Sequence, residues 1–363
     1  MFKPARNAVS CAVLCLLVAA ATSAQEDTKA GTWSRQTAGT MTWLRSVFFI
    51  SPERGWAAGG KGTVLSTEDG GKTWKVTFTS FDDVVRDVFF VDEQNGWLVC
   101  EANQYRLKTN DDPRAYLMKT TDGGKNWKRV ELKGIDLADP ANQVDAKGSN
   151  KLDARGSSPV EPKAFVDAIL VRAVFSHGGR GWAFGEQGAI FSTRDAGETW
   201  TRLRSPTRRL LLGGTFVDDD RGWVVGAGAT IIQTSDGGDT WYQSTLPGVD
   251  KSVRFNATSF FDNRLGWAVG SGGSVYRTTN GGRTWEKLES GVDNDLMDVK
   301  FVDAQEGWAV GAEGTIIHTI DGGGHWTSER SNTQHQLERV FFTDKGHGWA
   351  VGFGGTVVAY SKS

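Results

Sequence analysis

Short runs of β-branched and aromatic residues alternate along the chain with clusters of Gly, Asp and Asn, and apolar positions do not recur at helical spacing. One stretch shows the unit clearly. Strands are predicted over residues 297–302, 308–311 and 315–319, with a fourth opening at Trp326. The turns between them carry the residues that tolerate tight or left-handed backbone.

This unit repeats. A Gly-Trp dipeptide ends at Trp56, Trp97, Trp182, Trp223, Trp267, Trp308 and Trp349, with steps of 41, 85, 41, 44, 41 and 41 residues. Thirteen residues after most of these tryptophans a second motif opens: Asp69-Gly-Gly-Lys-Thr-Trp74, and likewise at Asp195, Asp236, Asn280 and Asp321. In the second unit the box starts at Asp122, 25 residues after Trp97, which implies a 12-residue insertion at about 100–114. A further 32 residues are inserted before the third unit, at about 133–163, so the long step is one repeat enlarged and no unit is missing.

A four-stranded sheet of this size cannot bury both faces alone, but several packed radially can. The expected fold is therefore all-β: one seven-bladed β-propeller spanning 25–363. The seventh unit ends before any Asp box, and the missing strand is found at Gly31-Thr32-Trp33. The N-terminal strand is thus expected to complete the last blade and close the ring, which removes exposed edges.

Fourteen of the fifteen tryptophans fall in these motifs, Trp43 being the exception. Burying an aromatic side chain removes about 150–250 Å² from water, worth roughly 4–6 kcal/mol before entropy. The repeated tryptophans read as core. The box residues Asp69, Asp122, Asp195, Asp236, Asn280 and Asp321 read as structural turn caps, because a catalytic group would be unique and these recur.

The pattern Gly307-Trp308-Ala309-Val310-Gly311, then Gly314-Thr315-Ile316, then Thr319-x-Asp321-Gly322-Gly323 through Trp326, resembles the photosystem II stability/assembly-factor family, a branch of the Asp-box propellers. The resemblance covers residues 31–363. It implies a non-enzymatic assembly chaperone acting on an early photosystem II intermediate, with a membrane-associated complex or transporter as partner. Asp boxes also occur in sialidases and xyloglucan hydrolases, so a carbohydrate-binding or carbohydrate-cleaving propeller is the alternative. For a sialidase-like nucleophile, Tyr105, Tyr116, Tyr242, Tyr276 and Tyr360 are available, and none stands in a recognisable context.

Composition adds the compartment. Lys3 and Arg6 precede an apolar run over 8–21 and the small residues Thr22-Ser23-Ala24, which reads as a signal peptide over 1–24. The expected localisation is exported, periplasmic or secreted, with the thylakoid lumen applying to a photosynthetic host. Bulky Leu14 before Cys15 does not suit a lipoprotein box. Cleavage would leave Cys100 alone, without a disulfide. The formal net charge of −2 offers nucleic acid no attraction. A monomer that does not insert in the membrane after cleavage is expected.

Candidate chemistry is confined to arginines. Arg45, Arg86, Arg172 and Arg339 stand just before the first strands of their units, with Arg254 nearby in the fifth unit. First strands line a propeller's channel, so these guanidinium groups are expected to gather at a mouth on the face carrying both insertions, as a partner-binding patch for carboxylates. Asp87, Asp298 and Glu338 adjoin them and offer neutralising partners. The five histidines show no metal-ligand spacing, and no phosphate loop or nucleophile elbow occurs, so neither a metal nor a cofactor is expected.

Overall fold

The computed structural model describes residues 31–78, 82–109, 112–133, 168–176, 179–246 and 248–362. The expected leader and nearly all of the 133–163 insertion lie outside the described residues. What is described is a ring of seven four-stranded antiparallel blades, a seven-bladed β-propeller. The first strands, which face the channel, are Leu44–Phe49, Val84–Phe90, Leu170–Phe175, Leu211–Phe216, Phe255–Phe260, Leu296–Phe301 and Leu337–Asp344.

The repeat packs through one aromatic triad per blade interface. The last phenylalanine of each first strand (Phe49, Phe90, Phe175, Phe216, Phe260, Phe301, Phe342) lies against the Gly-Trp tryptophan of the preceding blade, with centroids 3.4–4.6 Å apart. The Asp-box tryptophan of its own blade meets the same ring edge-on, at 78–89°. Both are favoured geometries for aromatic quadrupoles. The glycine of Gly-Trp is what lets the phenylalanine lie down. A Cβ on Gly55, Gly96, Gly181, Gly222, Gly266, Gly307 or Gly348 would stand 2.3–2.7 Å from that ring.

The seventh triad uses Trp33. Its strand, Thr32–Gln36, pairs antiparallel with Thr356–Ser361 in the register Trp33↔Tyr360, so the N-terminal strand closes the ring as expected. The Trp33 indole also donates to Glu329 across the junction, at 2.7 Å.

Each Asp box closes its own turn. The box side chain accepts the amide four residues on at 2.8–3.0 Å. A threonine two residues earlier donates to the box side chain, and its oxygen accepts the amide of the second box glycine. The Thr73 and Asn126 side chains hold the Asp69 and Asp122 carboxyls down at about 2. The boxes also stitch blades together. Indoles of Trp182, Trp223, Trp267 and Trp349 donate to the carbonyls of Gly237, Gly281, Gly322 and Gly70 in the following blade.

Blade 2 departs from the pattern. Where six blades carry glycine four residues after the Gly-Trp glycine, it carries Cys100, and its second strand continues to Glu101 before the inserted loop. Burial pushes the Cys100 thiol far above the reactive range, so it is a packing residue. The outer strand of blade 2, Lys128–Lys133, pairs in parallel with that of blade 3, Thr199–Leu203, joining the two blades into one eight-stranded sheet.

Candidate binding site at the channel mouth

A bulge in every inner strand sets which side chains reach the channel. The residue inside the bulge (Arg45, Arg86, Val171, Leu212, Asn256, Met297 or Glu338) stands at the mouth, on the face of the blade-2 insertion. The next residue points inward as Ser46, Asp87, Arg172, Asp298 or Arg339, with Gly213 and Ala257 contributing no polar group.

The predicted arginine patch is therefore two tiers and an outlier. Arg45 and Arg86 line the mouth, a cavity of about 110 Å³. Arg172 and Arg339 sit one layer deeper, with side chains 12% and 11% exposed. Arg254 is at the rim, 44% exposed, bonded to Asn256 and paired with Asp295 at 3.1 Å, so it does not join the group.

The deeper arginines cross the channel. Arg172 of blade 3 reaches Asp298 of blade 6 at 3.3 Å, and Arg339 of blade 7 reaches Asp87 of blade 2 at 2.6 Å. Asp87 also accepts from Ser46 and from the Ala173 and Val88 amides, and Asp298 from the Val340 amide. The result is a charged girdle tying blades 1, 2, 3, 6 and 7. Burial raises both carboxyls, that of Asp87 to about 6, against the pull of Arg172 and these hydrogen bonds. The sequence offers Asp87 and Asp298 as neutralising partners, and what it does not announce is which arginine each one meets, since the pairs lie 126 and 252 residues apart.

The mouth arginines are paired more loosely. Arg45 meets Glu338 at 3.3 Å, and Arg86 meets Glu101. Burial lowers the Arg45 guanidinium against the attraction of Glu338, and Arg86 beside it lowers it further. Among the described residues Arg45 Nε has no hydrogen-bond partner. The guanidinium lies 3.8 Å over the ring of Trp43, the tryptophan outside the repeat. Trp43 in turn meets exposed Phe353 edge-on at 5.2 Å, with exposed Met41 beside it in sequence. Sequence reading leaves Trp43 without a role, although its standing outside the period singles it out. The mouth thus offers cations beside an aromatic shelf, a surface suited to an extended segment carrying both carboxylate and apolar side chains.

The family model for photosynthesis system II assembly factor YCF48 matches residues 24–157, 199–291 and 284–361. The chain belongs to this family. Among solved structures it is similar to YCF48 bound to D1 peptide, at 20% identity and TM-score 0.68, covering 92% of this chain and 96% of that one. YCF48 from Cyanidioschyzon merolae gives 20% identity and TM-score 0.67, covering 91% and 99%. A virginiamycin B lyase from Staphylococcus aureus shares the fold at 11% identity and TM-score 0.66, covering 92% and 99%. No curated protein sequence matches the chain.

Proposed function

We propose that this YCF48-family chain is an exported, non-catalytic assembly factor that holds a carboxylate-bearing segment of a membrane protein at the channel mouth, with Arg45 and Arg86 as its contacts. The observation that carries the reading is the pairing of two adjacent guanidinium groups, one with an unengaged Nε, with the shelf of Trp43 and Phe353. A related YCF48 binds a D1 peptide, which supports a photosystem II protein, or a membrane protein like it, as client. Asp87 and Asp298 favour a binding role over glycoside hydrolysis, since each is tied to a cross-channel arginine and to backbone amides. An acid–base pair needs carboxylates able to exchange protons with substrate.

Affinity purification of the tagged chain from its native envelope fraction, followed by mass spectrometry, tests the reading. One membrane complex recovered with the chain, and lost in an Arg45→Gln/Arg86→Gln variant, is the expected result. Recovery of glycan alone would overturn it.

A further inference from the structure

Below the girdle, toward the face opposite the mouth, the channel opens into a second chamber of about 230 Å³, roofed by Ser46, Asp87, Arg172, Asp298 and Arg339. Its wall has two unlike halves. On the side of blades 7, 1, 2 and 3, Phe341, Phe48, Phe89 and Phe175 form a continuous arc, each ring 4.8–4.9 Å from the next. Phe341, Phe48 and Phe89 share one strand position, which carries Val174 in blade 3, where the triad residue Phe175 extends the arc by stacking on Phe89. In blades 4, 5 and 6 that position carries Thr215, Ser259 and Lys300. The apolar and polar arcs face each other across one small space.

Lys300 is the exception in a channel where the arginines are matched to carboxylates. Among the described residues its ammonium makes no hydrogen bond or ion pair, and its aromatic neighbour is Phe341, 6.0 Å to the ring centroid. The carboxylate acting on it through space, Asp298, is committed to Arg172 and to the Val340 amide. Burial pulls the ammonium below its ordinary value, the direction expected of a cation lacking a counter-charge. Ser259 accepts the Phe301 amide at 3.1 Å, which leaves its hydroxyl proton to donate into the chamber.

We infer that this lower chamber is a binding site for a small aromatic monocarboxylate, its ring against the phenylalanine arc and its carboxylate on Lys300 with help from Ser259. One unmatched cation calls for one anionic group, because a partly desolvated ammonium is costly until paired. The arc calls for a flat apolar body, since rings pack on rings by offset and edge contacts. The volume holds roughly ten to twelve non-hydrogen atoms, one ring with a short acid arm. The girdle of Arg172 and Arg339 stands between the chamber and the mouth, and this inference does not rest on the partner reading above.

The probe is 3-phenylpropanoate, titrated by saturation-transfer NMR into the full chain, with 3-phenylpropanamide as its neutral counterpart. The acid is expected to saturate with a Kd of roughly 0.1–1 mM. Lys300→Met and, as a polar alternative, Lys300→Gln are each expected to weaken the acid about tenfold, leaving amide binding within about twofold. Arg45→Gln at the mouth is expected to leave both unchanged. Absence of saturable binding to the unmodified chain overturns the inference. So does acid binding that both Lys300 variants retain, or that Arg45→Gln removes.

Discussion

At the scale of single residues, the most constrained position is the glycine before each repeated tryptophan. Gly266 has buried Phe260 where a side chain would go, at 2.5 Å, so Gly266→Ala forces the ring out of its stack on Trp223. We expect a loss of about 2–3 kcal/mol in denaturant unfolding. An unchanged midpoint would show that the triad repacks without cost. The box threonine is the next most exacting. Thr234→Val keeps the shape but strands the Gly238 amide, at about 1–3 kcal/mol by the same measurement. The Gly-Trp and Asp-box residues were legible because each recurs in a period. The phenylalanine six residues before each Gly-Trp was equally periodic, and what hid it was that its partner lies on a neighbouring blade.

Asp87 gives a pH prediction with a definite sign. Its carboxyl is raised to about 6 by burial, so between the ordinary carboxylate range and that value the folded state holds more protons than the unfolded state. The stability it contributes is present below the ordinary value and is lost as pH rises through about 6. Relative to Asp87→Asn, the unmodified chain should therefore gain about 1–3 kcal/mol between about pH 7.5 and pH 4.5. Parallel pH profiles of the two proteins would refute this assignment.

At the scale of elements, ring closure rests on the Thr32–Gln36 strand, which pairs along Thr356–Ser361 and supplies the seventh triad tryptophan. Trp33→Ala removes the edge-on contact with Phe342, the tilted contact with Tyr360 and the bond to Glu329. We expect about 3–5 kcal/mol of destabilisation. Hydrogen exchange should quicken first in Thr356–Ser361, the strand left as an edge. Uniform protection across the blades would argue against closure at this junction. This strand exchange was readable because the last unit ends before its box and fourth strand, and Gly31-Thr32-Trp33 supplies that strand. The parallel join of blades 2 and 3 was not, since Lys128–Lys133 has the composition of any outer strand and its pairing depends on where the blade-2 outer strand runs.

At the scale of the whole molecule, a seven-fold scaffold with near-identical packing carries an asymmetric channel. Blades 7, 1, 2 and 3 contribute the phenylalanine arc, and charged side chains on blades 1, 2, 3, 6 and 7 build the mouth and girdle. The repeat predicted the number and order of blades. Arginines just before the first strands, Arg254 among them, were expected to gather at the channel mouth; four face the channel, and of these Arg45 and Arg86 line the mouth. Their division into two tiers depends on the bulge, which a sequence period does not reveal. Loss of Arg254 from the group follows from its position one residue before its inner strand begins, where it turns to Asp295 on the rim.

On the proposed reading, the mouth binds a carboxylate-bearing segment of a membrane protein through Arg45 and Arg86. Isothermal titration of a D1 peptide into the unmodified chain and into Arg45→Gln/Arg86→Gln, with thermal unfolding of both, tests it most directly. Binding is expected to fall by about tenfold or more while unfolding moves little, as befits two partly exposed ion pairs. Binding that survives both substitutions intact would contradict it.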